Sequence, residues 1–156
     1  MEEEATVLEQ TIFTTKEVFV YKVPPLRSAT GHRAEDWGLA NPLFTGALKI
    51  FQADTKCRVV IYSYKNPETL AMNKENLIEF GQCPIEVKPK EDIKQFIDAV
   101  VDSSRYYVVR LKDPKSSNTV MIGIGFRERD AAFDFKSSLN EYVRYVDRMD
   151  LAEKMK

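Results

Sequence analysis

Up to residue 126 the apolar positions come in short runs of four to eight, several of them alternating with polar residues. From residue 130 onward they recur every three to four residues. The first pattern belongs to half-buried strands and the second to an amphipathic helix. Val18, Val20 and Lys22 alternate with Phe19, Tyr21 and Val23, so the first strand offers apolar side chains to both faces. Pro24-Pro25 ends it, because proline cannot donate to a ladder. The connection LRSATGHRAEDWGLANPLF follows, with Gly, Asn and Pro marking turns, and Trp37 is expected to pin it to the body. Residues 45–51 and 58–64 read as two β-rich strands around the turn Ala53-Asp54-Thr55-Lys56. After the loop KNPETLAMNKEN, residues 77–80 form a short strand. Residues 97–101 and 105–111 pair across Asp102-Ser103-Ser104, and DPKSSN is a hairpin loop before the last strand at 119–126.

In that last strand Val120, Ile122, Ile124 and Phe126 share one face, while Met121, Gly123 and Gly125 share the other. Two glycines on one face imply a close approach, by the neighbouring helix, a bulge or a bound peptide. GIGF lacks the third glycine and the strand-to-helix setting of a phosphate-binding loop. From 130 to 149 one stripe carries Ala132, Phe135, Leu139, Tyr142, Val143, Val146 and Met149, with Asp130 as its cap. Residues 1–14 read as a flexible leader, 15–150 as one domain and 151–156 as a fraying tail. About seven short strands and one terminal helix predict an α+β, mainly β, fold. The best fit is a pleckstrin-homology-like bent antiparallel sandwich capped by the C-terminal helix.

The chain has 156 residues, an apolar fraction of 44%, 23 basic and 24 acidic groups. That balance lacks the overall basic footprint of a nucleic-acid binder and leaves room for a local patch. No apolar run is long enough to cross a bilayer, and MEEEATVLEQ is not a signal peptide. Cys57 and Cys83 are expected to be reduced, in an intracellular protein, with a disulfide between them as the alternative. One histidine, His32, and two separated cysteines assemble neither a zinc site nor a nucleophile pair. No constellation points to an enzyme, a cofactor or a metal. For phosphoinositide recognition Lys22 could be the first basic element, but ALKIF lacks the arginine expected in the second strand. Arg27, His32 and Arg33 are followed at once by Glu35 and Asp36. Weak attraction to an anionic surface is what remains.

VYKVPP, GHRAEDW and TGALKI, followed by DSSRYYVVRL, IGIGF and AFDF, resemble the NECAP family of adaptin-ear-binding coat-associated proteins. The order and spacing match over residues 15–147, with an insertion-like stretch at 66–75. The resemblance implies a PHear domain, a variant pleckstrin-homology domain that binds protein. Its implied partners are FxDxF-type peptides of endocytic accessory proteins and the core of the clathrin adaptor complex, in its phosphorylated form. It also implies a cytoplasmic monomer, peripheral at clathrin-coated pits and vesicles. A phosphoinositide-binding membrane-targeting domain is the alternative. The family's WxxF-type ear-binding motif is expected to be absent from this chain, by truncation or by divergence, since its only tryptophan is Trp37. Asp130-Ala131 replaces the family's Gly-Asp pair, and Lys136 replaces its Asn.

Ser103 and Arg105 enter a strand from a turn, and Arg129 precedes the helix. Hydroxyls, two arginines and free helix amides together would accept a phosphate. The matching position of DSSRY in the resemblance favours this over a plain turn with solvated arginines. An FxDxF peptide needs two apolar pockets and a cation between them. Arg110, Lys136 and Arg144 are the candidate cations, and Tyr106, Tyr107 and Met121 the candidate walls.

Overall fold

The computed structural model describes residues 8–24, 31–112 and 118–155. Seven antiparallel strands come first: β1 (Gln10–Lys22), β2 (Phe44–Ala53), β3 (Lys56–Tyr64), β4 (Leu77–Ile85), β5 (Ile97–Ala99), β6 (Tyr106–Lys112) and β7 (Thr119–Gly125). The helix α1 (Arg129–Lys154) follows. The sheet order is β4-β3-β2-β1-β7-β6-β5, and a contact between β4 and β6 at Gln82 and Lys112 bends it round on itself. This is the PH-like architecture that the pattern predicts.

β1 makes the bend. It pairs with β2 from Gln10 to Val20 but with β7 only from Phe19 to Lys22. Two shifts of register, between Thr11 and Phe13 and between Thr15 and Val18, turn the strand between the two partners. Both of its faces are used, as its sequence predicts. Val18 and Val20 enter a main core with Leu48, Ile50, Val59, Ile61, Val109, Ile122 and Ile124, closed by the α1 stripe Phe135, Leu139, Tyr142 and Val146. Tyr21 enters a second, smaller core with Ala34, Trp37, Val100 and Val108 on the other face.

Several boundaries differ from the sequence expectation. Residues 10–14, expected in a leader, are the first part of β1, because Gln10 and Thr11 find partners in Gln52 and Phe51 of the long β2–β3 hairpin. β4 is nine residues long, held by pairing with β3 along its whole length. α1 runs through Lys154, so most of the expected fraying tail is helical. Its cap position is Glu128, in extended conformation and without a side-chain cap bond, while Asp130 lies inside the first turn. Residues 1–7, Pro25, Arg27 and the DPKSS part of the expected hairpin loop lie outside the described residues.

The glycine face of β7 is filled from within. A Cβ on Gly123 would stand 2.5 Å from the Trp37 ring, and one on Gly125 would meet the Tyr106 ring. Neither helix, bulge nor peptide occupies that face. Instead a short 3-10 turn, Ala34–Trp37, lays the indole against β7 as the expected pin of the first long loop.

At the other end of the barrel the buried Tyr142 hydroxyl donates to the Thr55 carbonyl at 2.6 Å and accepts from the Val87 amide at 3.3 Å. α1 is thereby tied to the β2–β3 turn and to the segment after β4. Burial pushes the Tyr142 phenol up to about 12. Cys57 and Cys83 are free, buried thiols on neighbouring strands, and burial pushes each up to about 12.

Candidate functional site

α1 starts beside the turn that joins β5 to β6, and a cleft of about 560 Å³ lies between them. Arg129, Phe133, Lys136 and Asn140 line its helix side. Their spacing of four, three and four residues puts them on one face. Ala99, Ser103, Ser104 and Tyr107 line the sheet side. A second hollow of about 240 Å³ shares Ala99, Tyr107, Lys136 and Asn140 and continues along β5 to Ile93 and Ile97. The two form one groove between the edge strand β5 and α1. A larger hollow, about 620 Å³, lies between the start of β1 and the middle of α1. Polar groups there satisfy one another: Tyr145 donates to Asp54 at 2.7 Å, and the Gln52 amide to the Asp54 carbonyl at 3.0 Å.

The β5–α1 groove is the better receptor because its two cations are left without ion pairs among the described residues. Arg129 and Lys136 make no ion pair among the described residues. The first amides of α1 have no side-chain cap, so the partial positive charge of the helix start adds to the two cations. Phe133 stands 70% exposed at the same place. Asp130 is the acidic group of the lining at the helix start, and Asp92 and Asp98 line the β5 end of the groove. An anion, or an acidic residue flanked by apolar ones, matches this combination.

The turn that carries Ser103 is built by its neighbours. Asp102 accepts hydrogen bonds from the amides of Ala34 at 2.8 Å and Glu35 at 3.1 Å, and the Val101 amide donates to the His32 carbonyl at 2.9 Å. The Trp37 turn and the serine turn are therefore one unit. Burial opposes the charge of Asp102, but the bonds from Ala34 and Glu35 outweigh it and hold the carboxyl below the usual aspartate range. A lowered folded value means that this contribution is complete above the ordinary aspartate pKa. It is lost as pH falls through the lowered one. Followed by NMR, the Ala34 and Glu35 amide signals are expected to titrate together, with a midpoint below the ordinary value of about 3.9. A midpoint at or above that value would show that the carboxylate does not hold the turn.

The structure brings some of the sequence candidates together and separates others. Ser103 and Arg129 line one cleft with Tyr107 and Lys136. Arg105 is turned aside: its guanidinium donates to the Arg127 carbonyl at 3.1 Å, and its amide to the Ser103 hydroxyl at 3.2 Å. Arg127 itself is held by Glu17 through two bonds of 2.8 and 2.9 Å. Tyr106, Arg110 and Met121 lie on the opposite face of the β6–β7 pair from Tyr107, since Tyr106 pairs with Gly125 and Arg110 with Met121. Tyr106 packs on Tyr21 and Trp37 at ring distances of 6.1 and 6.0 Å. Arg110 donates to the Lys94 carbonyl. Arg144 is paired with Glu141 at 2.8 Å, two helical turns beyond Lys136. Phe133, Ser104 and Asn140 were not among the candidates. Phe133 carried a signal nonetheless, as an aromatic one position off the apolar stripe of α1. Among the described loop cations, Lys22 is exposed at the end of β1, Arg33 faces Glu35 at 3.5 Å, and His32 is buried.

The family described as "Protein of unknown function (DUF1681)" matches residues 8–156. The chain belongs to this family. Within it, the NECAP resemblance of the motifs holds across most of the sequence. The human adaptin ear-binding coat-associated protein 1 is 33% identical over 138 residues, covering 88% of this chain and 45% of that protein. The rat adaptin ear-binding coat-associated protein 2 is 30% identical over 143 residues, covering 92% and 49%. An uncharacterized Arabidopsis thaliana protein is 29% identical over 147 residues, covering 94% and 49%. The chain thus spans about half the length of these relatives. Among solved structures, the Ran-binding domain of the nuclear complex component Nup2 from Ashbya gossypii matches with a TM-score of 0.50 at 9% identity. It covers 88% of this chain and 97% of that one, which shows the PH-like fold and nothing finer.

Proposed function

We propose that this DUF1681 domain is a protein-binding module of the endocytic coat, with no catalytic role, acting in the cytoplasm at clathrin-coated pits and vesicles. Its partners are the core of the clathrin adaptor complex, in phosphorylated form, and FxDxF-type segments of accessory proteins. Membership of a family whose relatives are named adaptin ear-binding coat-associated proteins supports the class of process. The observation that carries the binding mode is the β5–α1 groove, where Arg129 and Lys136 stand unpaired beside Phe133, Tyr107 and Ser103. Arg129, Ser103 and the helix start take the phosphate, Lys136 takes an aspartate, and Tyr107 and Phe133 take flanking aromatics. Arg105 holds the helix entrance through Arg127 and acts second to Arg129.

A charge-assisted hydrogen bond contributes about 1.5–3 kcal/mol. Arg129→Ala is then expected to weaken binding of the phosphorylated adaptor core by roughly ten- to a hundredfold. The loss should be much smaller for the unphosphorylated core, and smaller again for Arg105→Ala. Paired calorimetric titrations of both forms test this. Equal losses with and without phosphate would remove the anion site from the proposal.

A further inference from the structure

The segment between β5 and β6, residues 100–105, carries two serines in different surroundings. Ser103 is half-buried, and its hydroxyl accepts a hydrogen bond from the Arg105 amide at 3.2 Å. Ser104 is exposed, and its hydroxyl makes no hydrogen bond among the described residues. The turn is held without it. Asp102 takes the Ala34 and Glu35 amides, and the Phe126 amide donates to the Arg105 carbonyl at 3.0 Å. Yet Ser104 lines the same cleft as Arg129 and Lys136, which form no ion pair among the described residues. Asp130 is the one acidic group in the lining of that cleft, so positive charge is in excess there. A free hydroxyl on an exposed turn, beside surplus cations, is a place where a covalently added phosphate would be held.

We propose that Ser104 is a protein-kinase phosphorylation site, and that its phosphate closes the β5–α1 groove from within. The Ser104 Oγ attacks the terminal phosphorus of a nucleoside triphosphate held by the kinase. The bond from that phosphorus to the leaving diphosphate breaks, and the hydroxyl proton passes to the kinase's base. Phosphoserine brings nearly two negative charges and three acceptor oxygens. Arg129 and Lys136 then bind this group in place of a phosphate carried by a partner. A group tethered to the wall of the cleft acts at an effective concentration of about millimolar, which a partner arriving from solution must overcome. The added charge also repels an incoming phosphate or carboxylate. Phosphate on Ser103 would instead disturb the bond that its oxygen accepts from the Arg105 amide. This regulation rests on the groove's role as the receptor for a phosphorylated partner.

The test uses the chain with Ser104 replaced by genetically encoded phosphoserine, beside the unmodified chain. Phosphorus NMR reads the second ionisation of the phosphate, ordinarily near a pKa of about 6. It is expected at about 5, because Arg129 and Lys136 favour the dianion. In Arg129→Ala/Lys136→Ala it should return to about 6. Calorimetric titration with the phosphorylated adaptor core should show binding about ten- to a hundredfold weaker for the phosphoserine form. Its melting temperature should not fall, whereas phosphoserine in place of Ser103 should lower it. Mass mapping of the protein isolated from its own cells, with phosphatases blocked, should find phosphate on Ser104. An ordinary phosphate pKa, unweakened binding, or an unphosphorylated Ser104 in that mapping would each overturn the proposal. If the unmodified chain does not bind the phosphorylated core, the adaptor reading falls, while a lowered phosphate pKa still places the modified serine on the two cations. If it binds and phosphoserine changes nothing, only the switch falls.

Discussion

Phe135→Ala is expected to destabilise the protein by roughly 3–5 kcal/mol. Phe135 is fully buried where α1 meets the bent sheet. Its ring lies 5.2 Å from Phe126, 5.2 Å from Tyr107 and 5.8 Å from Phe13, so one side chain joins the end of β7, the floor of β6 and the early part of β1. Truncation removes the transfer energy of the ring and leaves a hole that three separate elements would have to move to fill. The loss is a large part of the stability of an ordinary domain of this size. Denaturant melts read it directly: the midpoint should fall with little change of slope. A loss under about 1 kcal/mol would mean that α1 does not close the core. Because Tyr107 is also the floor of the β5–α1 groove, a folded Phe135→Ala protein should bind groove ligands more weakly as well.

Trp37→Ala is expected to cost a similar amount, roughly 3–5 kcal/mol, in the second core. The indole fills the space that Gly123 leaves open and packs on Tyr21 at 5.9 Å and Tyr106 at 6.0 Å. Gly123→Ala attacks the same contact from the other side. Its new Cβ would press into the ring at 2.5 Å, and displacing an indole within a packed cluster costs about 1–3 kcal/mol. The pair makes a double-mutant cycle with a defined sign. In Trp37→Ala/Gly123→Ala the added methyl enters the vacated space, so the double variant should be more stable than the two separate losses predict. Strict additivity, measured by the same melts, would show that the two residues do not share a site.

Much of the helix and of the strand order was legible because periodicity is a local property. The α1 stripe can be read with no knowledge of what it covers: Ala132, Phe135, Leu139, Tyr142 and Val146 are buried and Val143 is half-buried, whereas Met149, expected on the same stripe, lies past the edge of the sheet's cover and is exposed. The two glycines of β7 correctly announced a close neighbour, and Trp37 correctly announced a pinned loop. That the two belong to one contact was not legible, because they are 86 residues apart in sequence and only the fold brings them face to face. The early part of β1 was missed for a related reason. In TIFTTKE the apolar Ile12 and Phe13 are adjacent and break the alternation, and the strand exists because β2 offers a ladder there and α1 offers Phe135.

The groove divides in the same way. Sequence alone determined the residue types: a serine-rich turn ahead of a strand, basic groups ahead of and within a helix, and two adjacent tyrosines that a strand must send to opposite faces. Tertiary structure decided which of them meet. It placed Tyr107 under α1 and Tyr106 under Trp37, brought Ser103 to Arg129, and sent Arg105 to the Arg127 carbonyl. It also left Arg110 and Arg144 on other surfaces. A strand's period states that its neighbours point apart, but which side faces the helix depends on register with strands far away in sequence. A cation is free or spent according to the carbonyls and carboxylates that the finished fold sets beside it.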